Sequence, residues 1–378
     1  MSDDPAKAHP PRQVSIPARK PFRRDELSGL EKWWGDQYEW LKASGYELRA
    51  RYAPGWVASW LKNMKQAPEK SEDGIRLRYV KVIDATRTRD GATVMLKWTR
   101  KSKNPDERAV HSFFSEEPRA SDPHNHCLRL LDVLDVPGDD DRIILVMPLV
   151  RPHDSPRYDT VGEALACIMQ VFESRVCSCL PDLHLRRDIK GNNIMMDGSP
   201  LYKRPFHPQQ IDMTLDFKSS ARHSTRTRNP VRYYLIDFGL SRLFDDPGPH
   251  LVWPYIGGVK EFPEIIADEP CDPFPMDIFC LGVWIQEDFL EVCVEKKRDS
   301  LEFLEPFVKE LTQPEASKRP RIDEAVARLN TIAGTLSSWK LRSRTRAHSD
   351  YFKHLRFFVH WPNRIAYIIT RTPAIPMP

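Results

Sequence analysis

An apolar run ends in Leu235-Ile236-Asp237-Phe238-Gly239, and 49 residues before that carboxylate (237 − 188) stands Arg186-Arg187-Asp188-Ile189-Lys190-Gly191-Asn192-Asn193. No other feature of the chain constrains its fold as tightly. The earlier segment sets a carboxylate, an amine and an amide at Asp188, Lys190 and Asn193, and the later one adds a second carboxylate just before a glycine. Moving a phosphoryl group from a metal-bound nucleotide needs a base to orient a hydroxyl, a cation for the phosphate and oxygen ligands for the metal. The two segments together carry all three.

The chain around them has 378 residues, 40% of them hydrophobic, enough for one large domain or two lobes with tails. Its net charge of +4, 57 basic against 53 acidic residues, is too small to point to a nucleic-acid partner. The seven cysteines follow no framework spacing, and Cys177-Ser178-Cys179 with His184 lacks the second pair that a zinc site needs. With no charged-then-apolar secretion signal and no apolar run near the roughly 20 residues of a membrane helix, the expectation is an intracellular protein, cytoplasmic or nuclear, without a membrane partner.

Composition divides the chain. Residues 1–28 hold prolines and charges and are expected to be a disordered leader. Residues 29–74 are an aromatic-rich extension, in which Trp33, Trp34, Tyr38 and Leu41 recur near helical spacing. These aromatics are expected to extend the core of the following domain. From residue 75 to 150 the pattern turns to strands: Arg78–Thr86 and Thr93–Thr99 flank Asp90-Gly91, a hairpin signal. Residues 104–116 read as a helix, and 132–136 and 143–150 as further strands. Residues 151–335 are mostly helical, beginning with the capping box Thr160-Val161-Gly162-Glu163 and the apolar stripe Ala164, Ile168, Val171 and Phe172. Residues 336–378 form a basic tail with an aromatic patch.

The order of these motifs resembles the protein kinase superfamily over about residues 75–335, most closely a divergent Ser/Thr-type domain such as those of fungal kinase-like proteins. Val94-Met95-Leu96-Lys97 resembles the Val-Ala-Ile-Lys strand, and Met147 with Pro148-Leu149-Val150 resembles gatekeeper and hinge. The catalytic loop and Asp-Phe-Gly follow in order. Phe262-Pro263-Glu264 resembles Ala-Pro-Glu, Asp277 with Gly282 resembles the start of the long central helix, and Lys318-Arg319-Pro320 carries the late arginine. The resemblance implies an α+β, two-lobed fold: a small antiparallel-sheet lobe with one helix and a larger helical lobe.

It also implies roles. Asp188 would orient the substrate hydroxyl, and Lys190 would neutralise the transferring phosphoryl group. Asn193 and Asp237 would ligate Mg²⁺, which prefers oxygen donors. Lys97 would hold the ATP phosphates, itself held by a helix glutamate. Glu107 is the choice for that glutamate, because Val110 and Phe114 follow it on the same helical face, whereas Glu116 and Glu117 run into Pro118. Val82, Met95, Met147, Leu149 and Met195 would line the adenine slot. Glu264 and Arg319 are expected to pair structurally.

Several positions depart from the family. Counting back from Ala85, Gly91 and Lys97, the three loop glycines belong at 75, 77 and 80, where the chain has Ile75, Leu77 and Val80. A loop from residues 52–60 is an alternative register. Met95 replaces a small alanine, and Arg186 a histidine. Residues 198–232 are an insertion whose basic part, 218–232, is expected to be a solvated loop or a site for an acidic or phosphorylated partner. The activation segment, 242–262, has no serine or threonine. The expected function is transfer of the γ-phosphate of Mg-ATP to a protein Ser/Thr. The alternative is a pseudokinase that binds or scaffolds with little turnover. The discriminating feature is the missing glycine loop set against the retained Lys97, Asp188, Lys190, Asn193 and Asp237.

Overall fold

The computed structural model describes residues 24–62, 67–174, 189–241, 251–253, 263–267, 269–291, 300–345 and 353–378. It is a mixed α+β structure built on one curled antiparallel sheet. Among the described residues no helix is long and apolar enough to cross a membrane.

The sheet has strands β1 (Tyr46–Leu48), β2 (Val82–Arg87), β3 (Thr93–Arg100), β4 (Asp132–Asp135) and β5 (Arg142–Pro148), in the order β1-β2-β3-β5-β4. The β2–β3 hairpin forms where Asp90-Gly91 signals it. Gly91 has φ +70°, which only glycine adopts without a Cβ penalty, and the Asp90 carboxylate accepts from the Ala92 amide at 3.1 Å. Register then decides the two faces, since side chains alternate along a strand. Ile83, Ala85, Val94, Leu96, Ile144 and Val146 point to one side and bury against Trp34, Tyr38, Leu41 and Tyr52. Val82, Asp84, Met95, Lys97, Leu145 and Met147 point to the other.

Two expectations change here. The strand begins at Val82 and not Arg78, because Tyr79 to Val82 is a tight turn closed by the Val82 amide on the Tyr79 carbonyl at 3.2 Å. The boundary at residue 75 does not divide the sheet either. Its edge strand, β1, comes from the aromatic-rich stretch, with Leu48 paired to Ala85. That stretch folds as two short helices, Gly29–Asp36 and Tyr38–Ala43. Arg51, fully buried, pairs with Glu31 across 3.1 Å and stacks 4.9 Å over the Trp56 ring.

A second, three-stranded sheet, β6 (Arg151–Pro152), β7 (Ile194–Met196) and β8 (Tyr233–Leu235), lies with the helical part. Helix Val161–Glu173 is capped by Thr160, whose hydroxyl accepts from the Glu163 amide at 3.1 Å, and it buries Ala164, Ile168, Val171 and Phe172 as its stripe requires. The Glu163 carboxylate does not close the box on the cap residue. It accepts from the Asp159 amide at 2.7 Å and from Thr227 at 2.8 Å. Helices Pro273–Ile285, Glu305–Leu311 and Ile322–Thr335 complete that core.

The insertion 198–232 is solvated only in part, and it carries a buried set of its own. Tyr202, Phe206, His207, Thr214, Arg226, Thr227 and Val231 are buried. The tail packs on the body: the Ala374 carbonyl sits where a Cβ on Gly162 would be, and Tyr367 Oη meets Thr225 Oγ1 at 2.8 Å.

Candidate functional site

The β7–β8 hairpin pairs Ile194 with Leu235, so Asn193 and Ile236-Asp237 leave the sheet at the same end. The Ile236 amide donates to the Asn193 carbonyl at 2.9 Å and fixes the juxtaposition. Asp237 adopts φ +64°, a left-handed conformation uncommon for a side chain other than glycine. Such conformations cost on the order of 1–3 kcal/mol and persist where surrounding contacts impose them.

In this conformation the Asp237 carboxylate meets Lys97. Its Nζ lies 2.5 Å from Glu107 Oε1 and 2.8 Å from Asp237 Oδ1, linking β3, helix Glu107–Ser115 and the turn after β8. Burial pulls the Lys97 ammonium toward neutrality, but the two carboxylates outweigh it and hold its pKa above the ordinary lysine value. Burial likewise pushes Asp237 up, yet the Lys97 charge and hydrogen bond, the Gly239 amide and the Lys190 charge bring it below the ordinary carboxylate value. Both groups are therefore charged at neutral pH, and Asp237 keeps an oxygen-rich face about half exposed.

Glu107 is fully buried, and Thr99 Oγ1 donates to its second oxygen at 2.7 Å. Val110 and Phe114 lie in the core below it. His111 was not singled out by sequence. It stands one helical turn from Glu107 and meets Phe238 edge-on, with ring centroids 4.7 Å apart. The signal was its i+4 spacing from the glutamate.

Lys190 precedes the short 3-10 turn Gly191–Asn193 and lines a cleft of about 570 Å³ with Met195, Asn192, Arg78, Tyr79, Asp154, Ile211, Glu287 and Asp288. Pockets of roughly 300–1,000 Å³ are the usual size for small-molecule ligands. Val82, Met95 and Met147 lie on the sheet face that carries Lys97. Leu149 lines a second cleft of about 380 Å³ with Val94, Leu131 and Phe206, and so parts from Met195. Asp188, Arg186 and Arg187 lie outside the described residues, as do residues 175–185, Phe262 and the activation segment except 251–253.

Flanking the positions 75, 77 and 80 where glycines would cover phosphates, Arg49 and Glu72 from the stretch before β2 join Asp84 of β2 in an ion network. Arg49 Nε lies 3.1 Å from Asp84 and its Nη1 3.2 Å from Glu72. Part of the basic insertion is also spent internally. Arg226 donates to the carbonyls of His153 and Pro156, each at 2.7 Å, and sits 4.5 Å over Tyr158. Arg232 donates to the Pro123 and Asn125 carbonyls, and Arg228 to Asn363. Lys218, Arg222, His223 and Arg228 of the same segment remain exposed.

Arg319 meets Glu264 at 2.5 Å and also donates to the carbonyls of Gln313, Pro275 and Pro314. Among the described residues no group of three or more His, Cys, Asp or Glu side chains is arranged to hold a metal. Asp237 and Asn193 supply one carboxylate and one amide oxygen, a donor set suited to an ion that also takes oxygens from phosphate and water. No family model and no curated protein matches the chain.

Proposed function

We propose that the protein is a divergent, two-lobed protein kinase that transfers the γ-phosphate of Mg-ATP to a protein hydroxyl, of Ser/Thr type. The observation that carries this reading is the Lys97 ammonium held between buried Glu107 and half-exposed Asp237. A lysine fixed this way presents its remaining donor to an anion, and the adjacent carboxylate faces the same space. Mg-ATP, when bound, supplies the phosphoryl group and the metal's charge. Lys97 would neutralise phosphate oxygens, and Asp237 and Asn193 would orient the metal. Lys190, whose charge already reaches Asp237, would stabilise the group in transfer. Asp188 would orient the attacking hydroxyl.

A second reading, a kinase-like binding module without useful turnover, draws on Ile75, Leu77 and Val80 at the glycine positions and on the Arg49–Asp84–Glu72 network that flanks them. The test is Mg-ATP binding and autophosphorylation by purified protein beside Asp188→Ala and Lys97→Met. Phosphate incorporation abolished by both substitutions supports the kinase. Nucleotide binding without transfer supports the second reading, and no nucleotide binding overturns the first.

A further inference from the structure

We infer that the insertion is a strap closed along the edge of the Lys190 cleft, latched by Gln209 and His207, and that nucleotide enters when the latch opens. The inference rests on the nucleotide-binding reading above for its ligand, but the latch itself is a matter of geometry.

The insertion is anchored firmly at its base. Arg226 and Thr227 are buried in the helical part, Thr225 and Arg228 bind the C-terminal helix, and Tyr202 and Phe206 hold the Arg151 guanidinium 4.6 Å from each ring. From this base, residues 205–215 form a folded-back arm. The His207 amide donates to the Met213 carbonyl and the Leu215 amide to the Pro205 carbonyl, both at 2.8 Å.

The tip of the arm crosses to the sheet. Gln209 Nε2 donates to Asp84 Oδ1 at 2.8 Å, and Gln209 Oε1 accepts from the Arg78 amide at 3.0 Å. Asp84 is on the same sheet face as Met95 and Lys97, paired directly with Met95. Arg78 and the insertion residue Ile211 both line the cleft that contains Lys190 and Met195. Ile211 and the Gln209-bound Arg78 therefore put the arm at the edge of that cleft, while Gln209 itself lines a separate cleft of about 780 Å³ with Gln210 and Met213.

His207 makes the second contact. Its Nδ1 accepts from the Gln209 and Gln210 amides at 3.2 and 3.0 Å, so the ring proton is on Nε2, which donates to Glu72 Oε1 at 3.3 Å. Asp84 and Glu72 share Arg49, so both latch points end on one ion network. Both must break for the sheet to move away from the helical part. His207 and Asp84 are buried, but their partners Glu72 and Gln209 are only partly so, and polar contacts at such a rim open more readily than a packed apolar core.

Two measurements on Gln209→Ala test this. Gln209 is only partly buried, so its truncation leaves the cores intact. In nucleotide-free protein labelled with ¹⁵N-histidine, His207 is expected to show a protected Nε2–H in the wild type, exchanging at least tenfold faster in the variant. The substituted side chain does not touch Glu72, so unchanged protection means the two contacts are not one latch and overturns the strap. In stopped-flow binding of a fluorescent ADP analogue with Mg²⁺, the variant is expected to associate about tenfold faster with an unchanged dissociation rate. Equal association rates with nucleotide bound overturn the gate while leaving the kinase reading in place. If neither protein binds the analogue, the kinase reading falls and with it the gating of nucleotide, and the histidine exchange alone decides whether the arm is latched.

Discussion

The Lys97 ammonium and the Glu107 carboxylate are 2.5 Å apart, with the carboxylate wholly buried. Removing one partner of a buried pair typically costs about 3–5 kcal/mol, because the other charge is left in a poor solvent. Here Asp237 remains beside Lys97, so the lower end of that range applies to Glu107→Gln. The variant is expected to melt below the wild type. On the kinase reading it should also lose at least tenfold in phosphotransfer, because Lys97 then loses the buried anchor on the helix and is held by Asp237 alone. Wild-type turnover by Glu107→Gln would remove Glu107 from the machinery.

Arg319 has a different kind of role. Its guanidinium satisfies Glu264 and three backbone carbonyls and stacks 4.8 Å from Phe279. Arg319→Ala should lower stability by about 3–5 kcal/mol in urea unfolding. Lysine at this position should not restore it, since one ammonium cannot match that fork of donors. A melting curve identical to the wild type would refute the role.

What was legible in the sequence was local. The β2–β3 hairpin follows from Asp90-Gly91 between two strand-like runs, and the choice of Glu107 follows from Val110 and Phe114 on one helical face. The edge strand Tyr46–Leu48 was not legible. Three residues carry no periodicity, and its partner lies across a long, irregular excursion. The insertion was misread in part, for a related reason. Its arginines and threonines look solvated by composition, yet Arg226 and Thr227 are buried because carbonyls at 153–157 and the Glu163 carboxylate, far away in the chain, receive their protons. Polar burial of that sort depends on which distant groups meet, and no local pattern records it.

Acid should destabilise the fold through two histidines. Burial pushes both His111 and His126 down to about 4 from the ordinary histidine value of 6.5. For His126 the hydrogen bond to the Tyr233 carbonyl offsets only part of that. The unfolded chain takes up these protons near pH 6.5 while the folded chain does not. Stability is therefore complete above about pH 6.5, falls as pH drops, and the loss is full only below about pH 4, on the order of 3 kcal/mol for each residue. His111→Leu, an apolar side chain against Phe238, should flatten the urea midpoint between pH 7.5 and 5. A profile as steep as the wild type would exclude His111 as a source.

Met95 offers the clearest test of the slot. It is half-buried, paired with Met147 on β5 and Asp84 on β2, and shares the sheet face of Lys97. A methionine fills irregular space and yields easily. If adenine enters beneath this face, the thioether must move aside, and that displacement weakens binding without touching the phosphate contacts. Met95→Ala is expected to cost about 1–2 kcal/mol of stability, since truncation at a half-buried position removes only part of a core side chain's packing. It is nevertheless expected to tighten Mg-ADP several-fold in titration calorimetry. Val82→Ala, on the neighbouring strand and paired with Lys97, removes roof and not obstruction, and should weaken it. Opposite responses at two neighbouring positions would separate a true adenine slot from general loosening of the sheet. Loosening would shift both variants in the same direction.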